Sequence, residues 1–432
     1  MVRSRLNFFF NTYSFFLVLF ISVAQCMFYP LNYMDYGIYA EAGNRIIHGL
    51  DPYSEGSVDG AFRSGYVAPL VLWLFTELSP VFLGVFVLRI LSLFSLYKLV
   101  QSLAPELNRL QIQFVFSILL WTTPIRAIIS NTQLTGILIG IYLLATWLCM
   151  RSSPRIVTLV VQKAISSLLI VIGIDIRPQL FLPAIFIWVV CFSKYRFALL
   201  TLVLYLVFRF LIDFASPFNL NSSEISILQS LSFQDLSRSD TTSFWRVIQY
   251  FITNSNFANL YSIILWIVVM IIMTKQTRYN YSKGIMIAGI GSLFLTFVHP
   301  YDYVFIAVIV ILENQNRKWD SILWLWTLFL LIFPKSGSSF FLNLIFGTIL
   351  ILFIIFGKRK EIYFKSINLH SQAFIFAFPL SLLSSGIIAQ HVNEPIFHAA
   401  LQLSIVTALV VIAYATEYGV GQLWFWRNKN SA

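Results

Sequence analysis

Long apolar runs separated by short polar stretches cover almost the whole chain. They span residues 8–28, 67–97, 112–129, 133–150, 156–174, 179–192, 197–212, 259–274, 284–298, 303–312, 321–333, 339–356, 371–390 and 397–416. Each run is continuously apolar, without the alternation of a membrane strand, and predicts helix. A bilayer core takes about 20 apolar residues per helix and tolerates no unpaired backbone against lipid. The expected fold is an all-α, polytopic integral membrane protein with about 12–14 transmembrane segments. Several runs are short, and some are expected to be half-spans or parts of one broken helix. The whole chain, 1–432, is read as a single transmembrane domain.

Composition agrees. Hydrophobic types make up 58% of the 432 residues and charged types 11%, with 42 Phe, 20 Tyr and 11 Trp. A water-exposed surface needs about twice that supply of charge, which excludes a soluble enzyme or a disordered chain. The net charge of +11 could indicate nucleic acid, so the placement of the basic residues decides its meaning.

With Arg3 and Arg5 cytoplasmic and the runs alternating, 19 of the 29 basic residues fall on the cytoplasmic side and eight outside. Twelve of the 18 acids fall outside. This is the positive-inside pattern. It accounts for the charge without nucleic acid and predicts a plasma-membrane protein with both termini cytoplasmic. The first run resembles a signal peptide, but Phe28-Tyr29-Pro30 follows where small cleavage-site residues belong, so it is read as the first span. Cys26, Cys149 and Cys191 lie in or beside apolar runs, without metal spacing.

Two outer loops are large, 29–66 and 213–258; the cytoplasmic loops are short. A reaction or binding site on the outer face is therefore expected. The loop 29–66 holds five acids: Asp35, Glu41, Asp51, Glu55 and Asp59. Apolar positions at helical spacing predict a short amphipathic helix from Tyr36 to His48, ended by Gly49 at C′ and kept from continuing by Pro52. Asp35 stands at its N-terminal edge, either as a helix cap or as a reactive carboxylate. Gly136 and Gly140 predict close helix packing.

Several short motifs in this region carry a resemblance. Asp35-Tyr36-x-x-Tyr39 is followed by Gly49-x-Asp51-Pro52-Tyr53 and by Tyr66-x-x-Pro69-Leu70. Their order resembles the first outer loop of polyprenyl-phosphate-sugar-dependent glycosyltransferases of the GT-C fold, and most closely glycosyltransferase family 87, which includes mannosyl- and arabinofuranosyltransferases. Asn131-Thr132-Gln133-Leu134 is similar to that family's Gly-Gln-x-Asn region, with Thr132 at the glycine and Thr135 at the second Asn. Asp175-Ile176-Arg177-Pro178-Gln179 resembles its Lys-Pro-Gln element, with Arg for Lys. His299-Pro300-Tyr301-Asp302-Tyr303 falls at its Ser-Pro-x-x-Trp-like loop, with His for Ser. The resemblance covers roughly residues 10–312, so that 1–215 forms the GT-C-like core and 259–432 the C-terminal helices.

The resemblance implies an inverting transfer of a sugar, mannose or a pentose, from a polyprenyl phosphate to a lipid or glycan acceptor. Asp35 is then the general base that takes the acceptor proton. Arg177, His299 and Arg126 are the candidate groups for the donor phosphate, arginine offering a rigid fork of donors. Tyr36, His48, Asp51 and Tyr53 are candidate sugar- or acceptor-binding residues in the loop. Asn131, Gln133, Gln179 and Asp302 are the candidates elsewhere. No cofactor is expected and no metal is required, although one Asp with water and a lipid phosphate would suffice for Mg²⁺. The expected partners are the polyprenyl-phosphate sugar, the acceptor and membrane lipids, with no nucleic acid. The alternatives are a transporter or lipid flippase, against which the absence of an internal repeat counts, and a non-catalytic GT-C-like assembly subunit.

Overall fold

The computed structural model describes residues 20, 23–24, 27, 34–52, 65–105, 107–120, 122–130, 132–151, 156–190, 194–215, 255–275, 281–293 and 300–316. Among these residues the secondary structure is helical, with no strand. The chain divides into two compact units. The first comprises residues 1–120, 125–239 and 274–292, the second residues 121–124, 240–273 and 293–432. The runs beyond residue 316 lie outside the described residues, as does most of the first one.

The helices are α1 (Met34–Ile47), α2 (Val67–Leu78), α3 (Val81–Leu103), α4 (Arg109–Leu120), α5 (Thr123–Ser130), α6 (Thr135–Met150), α7 (Ile156–Ile176), α8 (Pro178–Val190), α9 (Tyr195–Ala215), α10 (Ser255–Lys275), α11 (Tyr281–Ser292) and α12 (Val304–Asn316). A 3-10 turn, Pro300–Tyr303, precedes α12 in the second unit. Among the described residues, three segments, Val81–Leu103, Val157–Ile176 and Tyr195–Phe214, are long and apolar enough to cross a membrane.

Two expected runs are broken. The run 67–97 is two helices, because Pro80 has no N–H to continue the ladder and its ring excludes the preceding turn. α2, at about 18 Å, is too short to cross a core of about 30 Å, and the helix of this run long enough to do so is α3. The run 112–129 likewise splits into two helices, α4 and α5. Pro124 sits in the first turn of α5, where a missing N–H costs nothing.

Small residues set the helix crossings of the first unit. A Cβ at Gly136 would stand 2.5 Å from the Ser92 Cβ and Oγ, and one at Gly140 2.3 Å from the Ser95 Oγ. The Gly-x-x-x-Gly of α6 is therefore the seat for α3, as close packing requires. The pairing of 92 with 136 and 95 with 140 makes the two helices parallel. α6 also packs on α7, where the Ser166 hydroxyl donates to the Ala145 carbonyl at 2.6 Å. α7 packs in turn on α8 and α9, and α11 on α8. On α9 the face 201, 205, 209 and 212 turns inward. Thr201 donates to the Ser167 hydroxyl at 3.1 Å, while Leu199, Leu206, Phe210 and Phe214 stand exposed on the other side. An apolar outer face of this kind suits contact with lipid.

Basic side chains at helix ends lie over aromatic rings. Lys98 Nζ is 5.6 Å from the Phe94 ring, Arg151 Cζ 4.9 Å from Trp147 and Arg196 Cζ 5.8 Å from Tyr195. Aromatic rings and cationic tips of this type belong at a membrane–water boundary. All three cations belong to the set that the charge pattern assigns to the cytoplasm.

Candidate functional site

α1 is the helix expected over Tyr36–His48, with its start at Met34. It stops as expected. Gly49 has φ +72, its N–H meets the Ile46 carbonyl at 3.1 Å, and the Leu50 N–H meets the Arg45 carbonyl at 2.8 Å. This is the paired-bond Schellman ending, which needs a left-handed residue at C′. Arg45 Nε then donates to the Asp51 main-chain carbonyl at 3.0 Å, tying down the turn before Pro52.

α1 lies on α2 at close range. A Cβ at Gly43 would fall 2.2 Å from the Pro69 carbonyl oxygen and 2.6 Å from the Trp73 Cβ, so glycine sets that approach. Tyr36 is buried, and its hydroxyl accepts a hydrogen bond from the Thr76 hydroxyl at 3.2 Å. Gly84, at the start of α3, leaves the space for that hydroxyl. Tyr36, Leu72, Val85 and Leu88 form one apolar cluster, onto which Leu134 and Ile137 of the α6 region pack. Ile38, Ala42 and Tyr66 form another, joined by Ile212 of α9. α1 is thereby wedged between α2, α3, the start of α6 and the end of α9.

Asp35 lies in the first turn of α1; its side chain is outside the described residues, as are Tyr53, Asn131 and His299 and the side chain of Gln179. His48 is exposed, and its Nδ1 donates to the Asn44 carbonyl at 2.8 Å. Asp51 is half-buried. Arg126 is half-buried on α5, and Gln133 is buried just before α6. Asp302 is buried in the 3-10 turn of the second unit.

Arg177 occupies the joint between α7 and α8. Pro178 is the first residue of α8, a position suited to its fixed φ, and the residue before a proline is pushed out of the helical region. The joint is tight: a Cβ at Gly173 would fall 2.3 Å from the Phe181 ring. The Arg177 N–H closes α7 on the Gly173 carbonyl at 2.8 Å. Its guanidinium donates through Nη1 to the Thr135 hydroxyl at the start of α6.

The centre of this end is Asp175, which the sequence marks only as an outer acid. Its side chain has no exposure. Oδ2 accepts the N–H of Val67, the first residue of α2, at 3.0 Å. Oδ1 faces Arg209 Nη1 of α9 at 3.4 Å. Its main-chain carbonyl accepts the Gly65 N–H at 2.9 Å. Arg209 also lies over the Tyr66 ring, 5.2 Å from its centre. A carboxylate out of water needs a cation and donors to offset its lost hydration; here a guanidinium and a helix N-terminus supply them. The signal for Asp175 in the sequence is its position, an acid ending a span directly before Arg-Pro. The signal for Thr135 is its place at the second Asn of a motif.

Among the described residues no three His, Cys, Asp or Glu side chains gather in a metal-binding group. Comparison with protein-family models, curated proteins and solved structures finds no match for the chain.

Proposed function

We propose that the chain is an integral-membrane glycosyltransferase of the GT-C type, similar to glycosyltransferase family 87. It moves a sugar, mannose or a pentose, from a polyprenyl phosphate to a lipid or glycan acceptor on the outer face of the plasma membrane. The polytopic bundle of about 12–14 spans with cytoplasmic termini belongs to the same reading.

The observation that carries it is the joining of the Asp35 turn to the arginine end of the bundle. Tyr36, next to Asp35, shares an apolar cluster with Leu134. Leu134 adjoins Thr135, and Thr135 receives the Arg177 hydrogen bond. Along α3, Gly84 beside Tyr36 and Ser92 beside Gly136 are eight residues apart, about 12 Å of helix rise. A carboxylate-bearing turn and a phosphate-binding cation at neighbouring depths suit an acceptor above a lipid-phosphate donor.

In the reaction, Asp35 takes the acceptor hydroxyl proton as the oxygen attacks the anomeric carbon. The bond from that carbon to the phosphate oxygen breaks, and its electron pair leaves with the lipid phosphate. Arg177, with Arg126, offsets the charge on that phosphate. One carboxylate suffices, because phosphate leaves without a strong acid, unlike the leaving alcohol of glycoside hydrolysis. Asp35→Asn keeps size and polarity but removes the base, so the purified variant should fold and bind donor while transfer falls about 10²–10⁴-fold. Transfer at the wild-type rate by that variant sinks the base assignment. Mass spectrometry of envelope glycolipids from a deletion strain identifies the missing sugar; an unchanged glycolipid profile counts against the transferase.

A further inference from the structure

We infer that Asp175 is a positioning residue, the latch that fixes the end of the outer loop to the membrane bundle and so sets where the Asp35 helix stands relative to Arg177. Three elements distant in sequence converge on it. Gly65 and Val67 belong to the end of the loop, 108 residues from Asp175 at the Val67 contact. Arg209 belongs to α9, 34 residues away. Arg177 follows two residues later on the same strand of chain.

The contact is built for closeness. A Cβ at Gly65 would stand 2.2 Å from the Asp175 main-chain oxygen and 2.3 Å from its Cγ, so only glycine allows the approach. Val67 starts α2, whose N–H groups have no partners within the helix, and the carboxylate takes one of them. Tyr66, in the cap position of α2, makes no side-chain bond to it. The same stretch carries Tyr66, which lies beneath Arg209 and packs with Ile38 and Ala42 of α1. Moving residues 65–67 therefore moves the bed on which α1 rests. A chain needing only a helix cap would use a local Ser or Asp; a cap from a distant span instead ties loop to bundle.

The attachment itself is independent of the reaction. Only the purpose given to it, aligning Asp35 with Arg177, rests on the transferase reading. The test is double electron–electron resonance on the full chain in nanodiscs, with Cys26, Cys149 and Cys191 replaced and spin labels at Leu50→Cys and Phe214→Cys. Both label sites are exposed, at 51% and 82%. The parent should give one narrow distance. Asp175→Asn, which removes the charge, and Gly65→Ala, which keeps every charge and acts by steric displacement, should each broaden the distribution about two-fold or displace it by about 5 Å. An unchanged distribution in the folded variants overturns the latch, even where the melting temperature falls, because a merely stabilising residue would lower stability without moving the loop. Gly65 lies outside the spans, so Gly65→Ala decides alone if Asp175→Asn fails to fold. A wild-type chain without transfer activity but with these distance changes sinks the transferase and leaves the latch standing.

Discussion

Replacing Thr132 with glycine should stabilise the protein, although Thr132 is buried. The helix α5 ends as α1 does. The Gln133 N–H meets the Ile128 carbonyl at 2.9 Å and the Thr132 N–H meets the Ile129 carbonyl at 3.4 Å. This is the same pair of bonds that Leu50 and Gly49 make, and it again requires a left-handed C′ residue. Here that residue is a β-branched threonine at φ 52. The left-handed region costs an L-residue about 1–2 kcal/mol. The Thr132 hydroxyl is buried without a hydrogen-bond partner among the described residues, a further cost of about 1–3 kcal/mol. Glycine removes both, but loses about 0.5–1 kcal/mol to unfolded-chain entropy and about 0.8 kcal/mol for the buried methyl. The balance centres on about 2 kcal/mol in favour of Thr132→Gly, seen in detergent as a rise in melting temperature of about 2–4 °C. Thr132→Ala isolates the terms: it deletes the hydroxyl yet keeps the Cβ, so it should gain less than glycine. Gly49→Ala is the mirror experiment. Its Cβ meets nothing within 4 Å, so it should lose about 1 kcal/mol through the backbone alone. A Thr132→Gly variant less stable than the parent, or an alanine variant at least as stable as the glycine one, refutes the reasoning.

Gly136→Val should destabilise the α3–α6 crossing by about 1–3 kcal/mol, measured as thermal unfolding in detergent. Ser92→Gly should recover part of that loss in the double variant; a strictly additive pair would show that the two residues do not meet. On the proposed transferase reading, Arg177→Gln should lower sugar transfer about 10²-fold by removing a charge that offsets the leaving phosphate. Arg177→Lys should keep much of the rate, and a Gln variant as active as the parent removes Arg177 from the phosphate site.

The apolar pattern was enough to locate the helices described between residues 133 and 316. Its span is local, a few turns at most, and each of the runs from 133 to 312 begins or ends within a few residues of a helix in the structure. The stop at Gly49 and the close seat at Gly136 and Gly140 were legible for the same reason: a left-handed turn and a missing side chain are properties of one residue. The split of the run 67–97 escaped a reading by hydropathy because apolar character continues across Pro80, whereas helix geometry does not.

What only the tertiary structure decided is which polar groups meet. Arg177 and Thr135 lie 42 residues apart, and Asp175 and Val67 lie 108 apart. No spacing rule reaches across such distances. In the sequence Tyr36 is a polar-tipped neighbour of Asp35; in the fold it is an anchor buried against Gly84 and Thr76. Asp175 is one acid among twelve on the outer side by charge counting, yet in the fold it is the point where loop, α2 and α9 are tied. Charge counting registers how many carboxylates face one way, while burial decides which of them must find a cation and a helix end. The sequence by itself determined a helical, strongly apolar chain with a polar stretch at 29–66; the close approach allowed by Gly65 decided how the end of that stretch is held.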